Sequence, residues 1–167
     1  MILEAIWYFL PAYFANMAPP MFNWFGWFKG LAKPINEPLF GKNKTYRGVV
    51  AAVCVGFIVF ILQKVFRIES FELFDYERAS LMIGLLLGMG AILGDLAESF
   101  LKRRIGIKSG KPFIPFDQLD FVFGGLVLST LVFVPSIKIV LVLVVISPLF
   151  HLFANRMGYW LKITRKY

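Results

Sequence analysis

An aspartate, a glutamate, a serine and a lysine stand at intervals of three, one and three near the end of a very apolar run. They are Asp95, Glu98, Ser99 and Lys102 in the stretch GDLAESFLKRR at 94–104. At 3.6 residues per turn that spacing puts all four on one face of a helix. Asp95 lies six residues before the end of the run, about 9 Å at 1.5 Å per residue. If the run crosses a membrane, an ionised aspartate at its centre costs roughly 2.5–3.5 kcal/mol on insertion scales, and less near the end. An ion pair with Lys102 or Arg103 would offset that cost structurally. A metal ion or a polar cavity would offset it functionally, and intramembrane carboxylates are functional by default.

A second acidic pair lies in IPFDQLDF at 114–121. Asp117 suits a helix N-cap, and Asp120 stands where a capping box places its acid. The same i, i+3 spacing sets both carboxylates on one side of a first turn. With Asp95 from the neighbouring helix, three aspartates can meet at one depth. Converging hard oxygen ligands select magnesium together with phosphate oxygens and water. One histidine and one cysteine, Cys54, are too few for a zinc site or an internal disulfide.

Two basic stretches fit that chemistry. KRRIGIKSGKP at 102–112 carries Lys102, Arg103 and Lys108 on a glycine-containing loop beside the carboxylates, the description of a triphosphate clamp. FGKNKTYRG at 40–48 sets Lys42, Asn43, Lys44, Thr45 and Arg47 between Gly41 and Gly48. Glycine, amide and hydroxyl groups so placed suit the wrapping of an anion, although topology-setting charge alone would also supply the lysines. The P-loop pattern GxxxxGK[ST] is absent. Asn16 with Tyr13, and His151 with Asn155, stand at helical spacing and read first as packing groups, second as an outlying polar site.

The elements that must position these groups are apolar helices. Of the 167 residues, 59% are apolar, more than an ordinary soluble domain carries. A bilayer core takes about 20 apolar residues per helix, and five stretches qualify: 2–20, 48–65, 79–101, 118–134 and 137–157. The expected fold is an all-α integral membrane protein, one domain over 1–167, with five transmembrane helices and a polar cavity facing the cytoplasm. Pro11 should kink the first span, and Pro19-Pro20 should end it. MFNWFGWFKGLAKP at 21–34 reads as an interfacial helix or loop. The start MILEAIWYFL lacks a basic region and a cleavage site, so it is read as retained.

Segments 21–47 and 102–116 and the C-terminal end share most of the 18 cations; only Lys64, Arg67, Arg78 and Lys138 remain for the other side. The positive-inside rule then makes both segments cytoplasmic loops, with the N-terminus outside and the C-terminus inside. The formal charge of +8 favours anionic partners such as lipid headgroups, phosphates or nucleotides. Nucleic acid is not expected among them.

GDLAESFLKRRIGIK followed by DQLD resembles the signature of the CDP-diacylglycerol synthases, the membrane CTP:phosphatidate cytidylyltransferases. Asp95, Glu98, Ser99, Lys102, Arg103, Lys108, Asp117 and Asp120 match that pattern in order. The bacterial form differs in having aspartate at the position of Ser109, a His-Gly-Gly between Lys108 and Asp117, and arginine at Gln118. YFANMAPP at 13–20, GKNKTYRG at 41–48 and HLFANRMGYWLK at 151–162 resemble the archaeal branch, CDP-archaeol synthase, over nearly the whole chain.

The resemblance implies magnesium-dependent transfer of CMP from CTP to a prenyl-ether lipid phosphate in the cell membrane, with pyrophosphate released. It implies a catalytic set of Asp95, Asp117, Asp120, Lys102 and Arg103, the three aspartates holding Mg²⁺. Glu98, Ser99 and Lys108 then join Lys102 and Arg103 around the nucleotide, with Lys42, Asn43, Lys44 and Arg47 closing over it or meeting the lipid phosphate. The prenyl chains require a sideways-opening groove, expected beside the first span and residues 21–28. A magnesium or phosphate-anion transporter is the rival reading. It requires polar residues through the full depth of the bilayer, whereas LMIGLLLGMG and LVLSTLVFV are apolar.

Overall fold

A backbone that leaves water must satisfy its own N–H and C=O groups, and every regular element among the described residues is accordingly a helix. The structure, a computed structural model, describes residues 1–162. The order is α1 (Ile2–Phe25), α2 (Glu37–Phe40), α3 (Tyr46–Val65), α4 (Met82–Arg104), α5 (Phe116–Ser129) and α6 (Ile137–Trp160). Two single 3₁₀ turns, at Lys29–Leu31 and Glu69–Phe71, interrupt the longer loops.

The first helix runs further than the sequence suggests. It passes through Pro11, Pro19 and Pro20 and ends at Gly26, whose φ of 69° is left-handed. That geometry lets Gly26 N–H reach the Asn23 carbonyl and Trp27 N–H reach the Phe22 carbonyl, a glycine stop signal. A proline inside a helix costs about 3 kcal/mol when isolated. Here the rings serve as packing surface: Pro11 is fully buried, and Pro19 lies against α3 at Gly48. The aromatic stretch expected to lie apart therefore begins as the last turn of α1. At α3, α4 and α6 the differences are smaller; α3 starts two residues early because the Thr45 hydroxyl accepts the Gly48 N–H at 3.2 Å.

Glycines set the spacing of α4 against both neighbours. On one side, a β-carbon at Gly84 would lie 2.3 Å from Cβ of Phe60 in α3. On the other side, a β-carbon at Gly94 would lie 2.1 Å from the Asp120 carbonyl oxygen, and one at Gly124 would lie 2.1 Å from the Gly90 carbonyl oxygen. The α4 and α5 backbones are therefore in direct contact, the arrangement that small residues permit in membrane helices. That contact places Asp95 and Asp120 side by side.

The opposite end of the bundle is apolar and firmly tied. Tyr8, Phe9, Phe60, Tyr76, Leu87, Phe121 and Val122 are fully or almost fully buried in one core. Tyr8 donates to Ser129 Oγ at 2.7 Å, and Gln63 Nε2 donates to the Trp7 carbonyl at 2.5 Å. Arg67 braces the 66–81 loop by pairing with Glu72 at 3.1 Å and Glu77 at 2.8 Å. The helix termini 2, 65, 82 and 129 meet at this end, whereas the basic loops gather at the other.

Three helices, α3, α4 and α6, are long and apolar enough to cross a membrane. α1 has the length, but its Trp, Tyr, Pro and Asn residues dilute its apolarity. α5, expected over 118–134, stops at Ser129 after 14 residues, about 21 Å of rise against a bilayer core of about 30 Å. Exposed apolar side chains such as Val127, Leu141, Val145 and Phe153 cover the outside of the bundle.

Gly94→Ala is expected to force α4 and α5 apart at a cost of about 1–3 kcal/mol. In detergent this should appear as a fall of several degrees in the melting temperature. Gly30→Ala, with nothing within 4 Å of the added carbon, should melt like the parent protein.

Candidate active site

The loop before α3 is built to deliver one lysine. Asn36 caps the short α2 by accepting the Leu39 N–H at 3.1 Å. Pro34 and Thr45 form a single antiparallel bridge, in which Ile35 N–H donates to the Lys44 carbonyl at 2.9 Å. Closed in this way, residues 33–46 hold Lys44 over α4, and its ammonium lies 2.6 Å from both carboxylate oxygens of Asp95. Burial by itself would lower the Lys44 pKa. The charge and hydrogen bonds of Asp95, with the added fields of Asp120 and Glu98, outweigh it and raise the pKa above the ordinary value. A raised ammonium pKa stabilises the fold at every pH below the unfolded value, so Lys44 stays charged across the neutral range.

Lys102 neutralises the second pair of acids. One turn along α4 it lies 3.1 Å from Glu98, and it reaches Asp117 at 2.6 Å. Asp117 does not cap α5 as its position suggests; Pro115 is the N-cap, and the carboxylate turns back to accept the Phe113 N–H. Asp120 has no cap role either, since its Oδ1 accepts the adjacent Phe121 N–H at 2.6 Å. Ser99 donates to Glu98 Oε2 at 3.4 Å.

The acids that converge are Asp95, Glu98 and Asp120, which offer ligand oxygens all within 4.8 Å of one another. The expected trio had Asp117 in place of Glu98. Asp117 lies one contact away: it is hydrogen-bonded to Glu98, to Lys102 and to the Phe113 N–H, while Glu98 pairs with Lys102 and shares a helix face with Asp95. The donor set of three carboxylates is hard and anionic, the chemistry that suits magnesium.

The two basic stretches touch. A β-carbon at Gly41 would lie 2.8 Å from Ser109 Oγ and 3.5 Å from Arg103 Nη1, and Asn43 Nδ2 donates to Ser109 Oγ at 3.5 Å. The Arg103 Nε is buried and has no partner among the described residues. Arg47 also lines the cavity, held at the C-terminal end of α1, where it donates to Asn23 Oδ1 at 2.5 Å and to the Trp27 carbonyl at 3.4 Å. A cation at that end of a helix is favoured by the helix dipole. Lys42 lines the cavity, while Lys108 is exposed in its loop. Asn23 is a site residue that the sequence reading misses; an isolated asparagine within MFNWFGWF is the available signal for it.

Between these groups lies a cavity of about 550 Å³, walled by Asn16, Asn23, Lys42, Asn43, Lys44, Arg47 and Asp95. Two apolar clefts adjoin the site. One, of about 390 Å³ between α4 and α5, touches Glu98 and Asp120. The other, of about 450 Å³ between α1 and α6, gathers Asn16, His151 and Asn155. Beyond the acids the buried polar groups among the described residues, Gln63, Ser129 and Ser147, are uncharged and spread over three helices, and a transporter's path would need more than these.

These features define a helical membrane protein built around one charged cavity, and known proteins narrow the class further. A family described as CarS-like, CDP-archaeol synthase, matches residues 1–166. The CDP-archaeol synthase of Pyrococcus furiosus is 33% identical over 96% of this chain and 95% of its own. That of Thermococcus onnurineus is 35% identical, over 95% of this chain and 92% of its own. A solved structure, of an intramembrane enzyme for archaeal membrane lipids biosynthesis, superimposes with a TM-score of 0.74. It is 30% identical, over 93% of this chain and 94% of that one. The chain belongs to the CDP-archaeol synthase family and is therefore an enzyme, a CTP-dependent cytidylyltransferase.

Lys102→Met leaves Glu98 and Asp117 without their shared cation. Removing one partner from a buried pair costs roughly 3–5 kcal/mol, so a large drop in melting temperature is expected. Lys108→Met, at an exposed position, should stay within about 0.5 kcal/mol of the parent.

Proposed function

We propose that this chain transfers CMP from CTP to an unsaturated archaetidic acid, a digeranylgeranylglyceryl phosphate, giving CDP-archaeol and pyrophosphate. The observation that carries the reading is the meeting of carboxylates from α4 and α5 with lysines from two basic loops beside one cavity. All five long helices cross the bilayer in this reading, α5 with the loop after it. The basic loops face the cytoplasm, where CTP is found, and the 66–81 loop and the N-terminus face outward. The crowding of cations at the cavity end supports that orientation.

Chemically, a lipid-phosphate oxygen attacks the α-phosphorus of CTP in line, the bond to the β-phosphate oxygen breaks, and pyrophosphate leaves. A phosphate anion is already a nucleophile near neutral pH, so catalysis reduces to positioning and charge stabilisation. Arg103, with its free Nε, and Lys108 sit where the loop can hold the β- and γ-phosphates. Lys42 and Asn43 close the cavity from the facing loop. Lys44 and Lys102 keep the acids paired; Lys44 must share Asp95 with any cation that binds there. Asp95, Glu98 and Asp120 are the residues that would hold Mg²⁺, and Asp117 then serves to orient Lys102. When bound, the ion would neutralise phosphate charge and favour departure of pyrophosphate.

Purified protein in detergent with labelled CTP and the prenyl-ether lipid phosphate should form labelled CDP-lipid, and EDTA should stop it. Asp95→Asn and Asp120→Asn should each lower turnover by roughly 100-fold or more, the scale of losing a main electrostatic group. Glu98→Gln should weaken the apparent Mg²⁺ affinity, whereas Asp117→Asn should leave that affinity near the parent value. Turnover that persists with EDTA would remove the metal from this account.

A further inference from the structure

The reaction brings together a water-soluble triphosphate and a lipid, and the charged cavity suits only the first. Two apolar clefts compete for the second. The α4–α5 cleft has carboxylates, Glu98 and Asp120, as its polar groups. In the proposed reaction those two carboxylates hold Mg²⁺ for the nucleotide, so they are not free to receive a second headgroup. The α1–α6 cleft has amide and imidazole groups instead, Asn16, His151 and Asn155, in walls that are otherwise almost wholly apolar.

Three further observations single out the α1–α6 cleft. Asn16 and Pro20 line both this cleft and the charged cavity, and Asn16 is the polar one of the two, so the spaces meet along one face of α1. His151 has a buried Nδ1 with no hydrogen-bond partner among the described residues, and a buried polar atom left unpaired costs about 1–3 kcal/mol unless a ligand or water completes it. α6 is also the least buried of the three helices long and apolar enough to span, with 17% of its most apolar window covered. Its attachment to α1 is slight at this level: the Tyr13 hydroxyl bonds Ser147 Oγ at 2.7 Å, and the Tyr13 ring meets Phe150 edge-on at 5.5 Å. A lipid can enter sideways between helices held apart in this way.

We propose that the lipid phosphate binds in the α1–α6 cleft. Asn16, His151 and Asn155 receive its phosphate and glycerol oxygens there, and the apolar walls take a prenyl chain. Asn16 then stands between acceptor and CTP, at the point where the attacking oxygen must cross into the charged cavity. His151 and Asn155 are four residues apart on α6, so one helix face presents an imidazole and an amide to the same headgroup. The assignment rests on the cytidylyltransferase reading for its choice of ligand but makes a separate claim about place.

Steady-state kinetics of detergent-purified protein, with CTP and lipid phosphate varied independently, test the claim. His151→Ala and Asn155→Ala should each raise KM for the lipid about tenfold while KM for CTP stays within about twofold. Ala154→Trp, which fills the cleft, should do the same more strongly, whereas Val127→Trp, in the α4–α5 cleft, should leave both constants unchanged. Unchanged lipid KM in the α6 variants, an equal rise in both constants, or a lipid effect confined to Val127→Trp would each overturn it.

Direct binding of a spin-labelled dialkylglycerol phosphate, without CTP, supplies a readout independent of turnover. The label should be immobilised by the parent and released by Ala154→Trp, with inorganic phosphate failing to compete. Retention of the label by Ala154→Trp, or its displacement by inorganic phosphate, would count against the cleft. A parent protein that binds this lipid yet transfers no CMP would refute the reaction and leave the binding site standing.

Discussion

Everything at the working end depends on two helix backbones touching at glycine. Gly94 and Gly124 let α4 and α5 approach until the Asp120 carbonyl would strike any side chain at position 94. Only at that distance do Asp95, Glu98 and Asp120 converge, and convergence of like charges has a cost. At an effective dielectric near 20, two ionised carboxylates about 5 Å apart repel by roughly 3 kcal/mol. Lys44 and Lys102 offset it, one from a loop and one from the helix itself. Close packing and charge balance are therefore one constraint with two parts: the glycines bring the acids together, and the lysines make that tolerable.

That constraint couples distant parts of the chain to the site. Lys44 reaches Asp95 because α2, its asparagine cap and the Pro34–Thr45 bridge close the preceding loop. The loop after α4 then leans on the first through Gly41, Asn43 and Ser109. The opposite end is built differently, from aromatic rings, a tyrosine–serine bond and the Arg67 ion pairs. The cavity end is closed mainly by polar and cationic side chains, Lys42, Lys44 and Arg47 among them.

In the proposed reaction the division between cavity and clefts follows from the solvents each substrate requires. A nucleotide comes from water and needs compensation of its charge, whereas a prenyl chain stays in hydrocarbon and needs only a shaped apolar wall. An enzyme joining the two must set a polar cavity and an apolar cleft side by side and share a residue between them. Asn16, uncharged and able both to donate and to accept, is such a shared residue on α1.

Much of this was legible in the sequence because it follows from local rules. Apolar runs of membrane length dictate helices, and the one-face spacing of Asp95, Glu98 and Lys102 is a property of any helix. The basic character of both loops, and the likeness of the motifs to one enzyme family, are equally local. What required the tertiary structure was choice among partners. The sequence reading placed Asp117 with Asp95 and Asp120, because i, i+3 spacing allows it. The fold turns Asp117 toward Lys102 and the Phe113 N–H and puts Glu98 at the third corner. The same holds for Pro19 and Pro20, helix-ending by rule but carried inside α1, where Pro19 lies against Gly48 of α3. Spacing along one helix fixes which side chains share a face; which face meets which neighbour is decided by backbone contacts between residues about 30 apart, Gly90 and Gly94 with Gly124, and no local pattern encodes that distance.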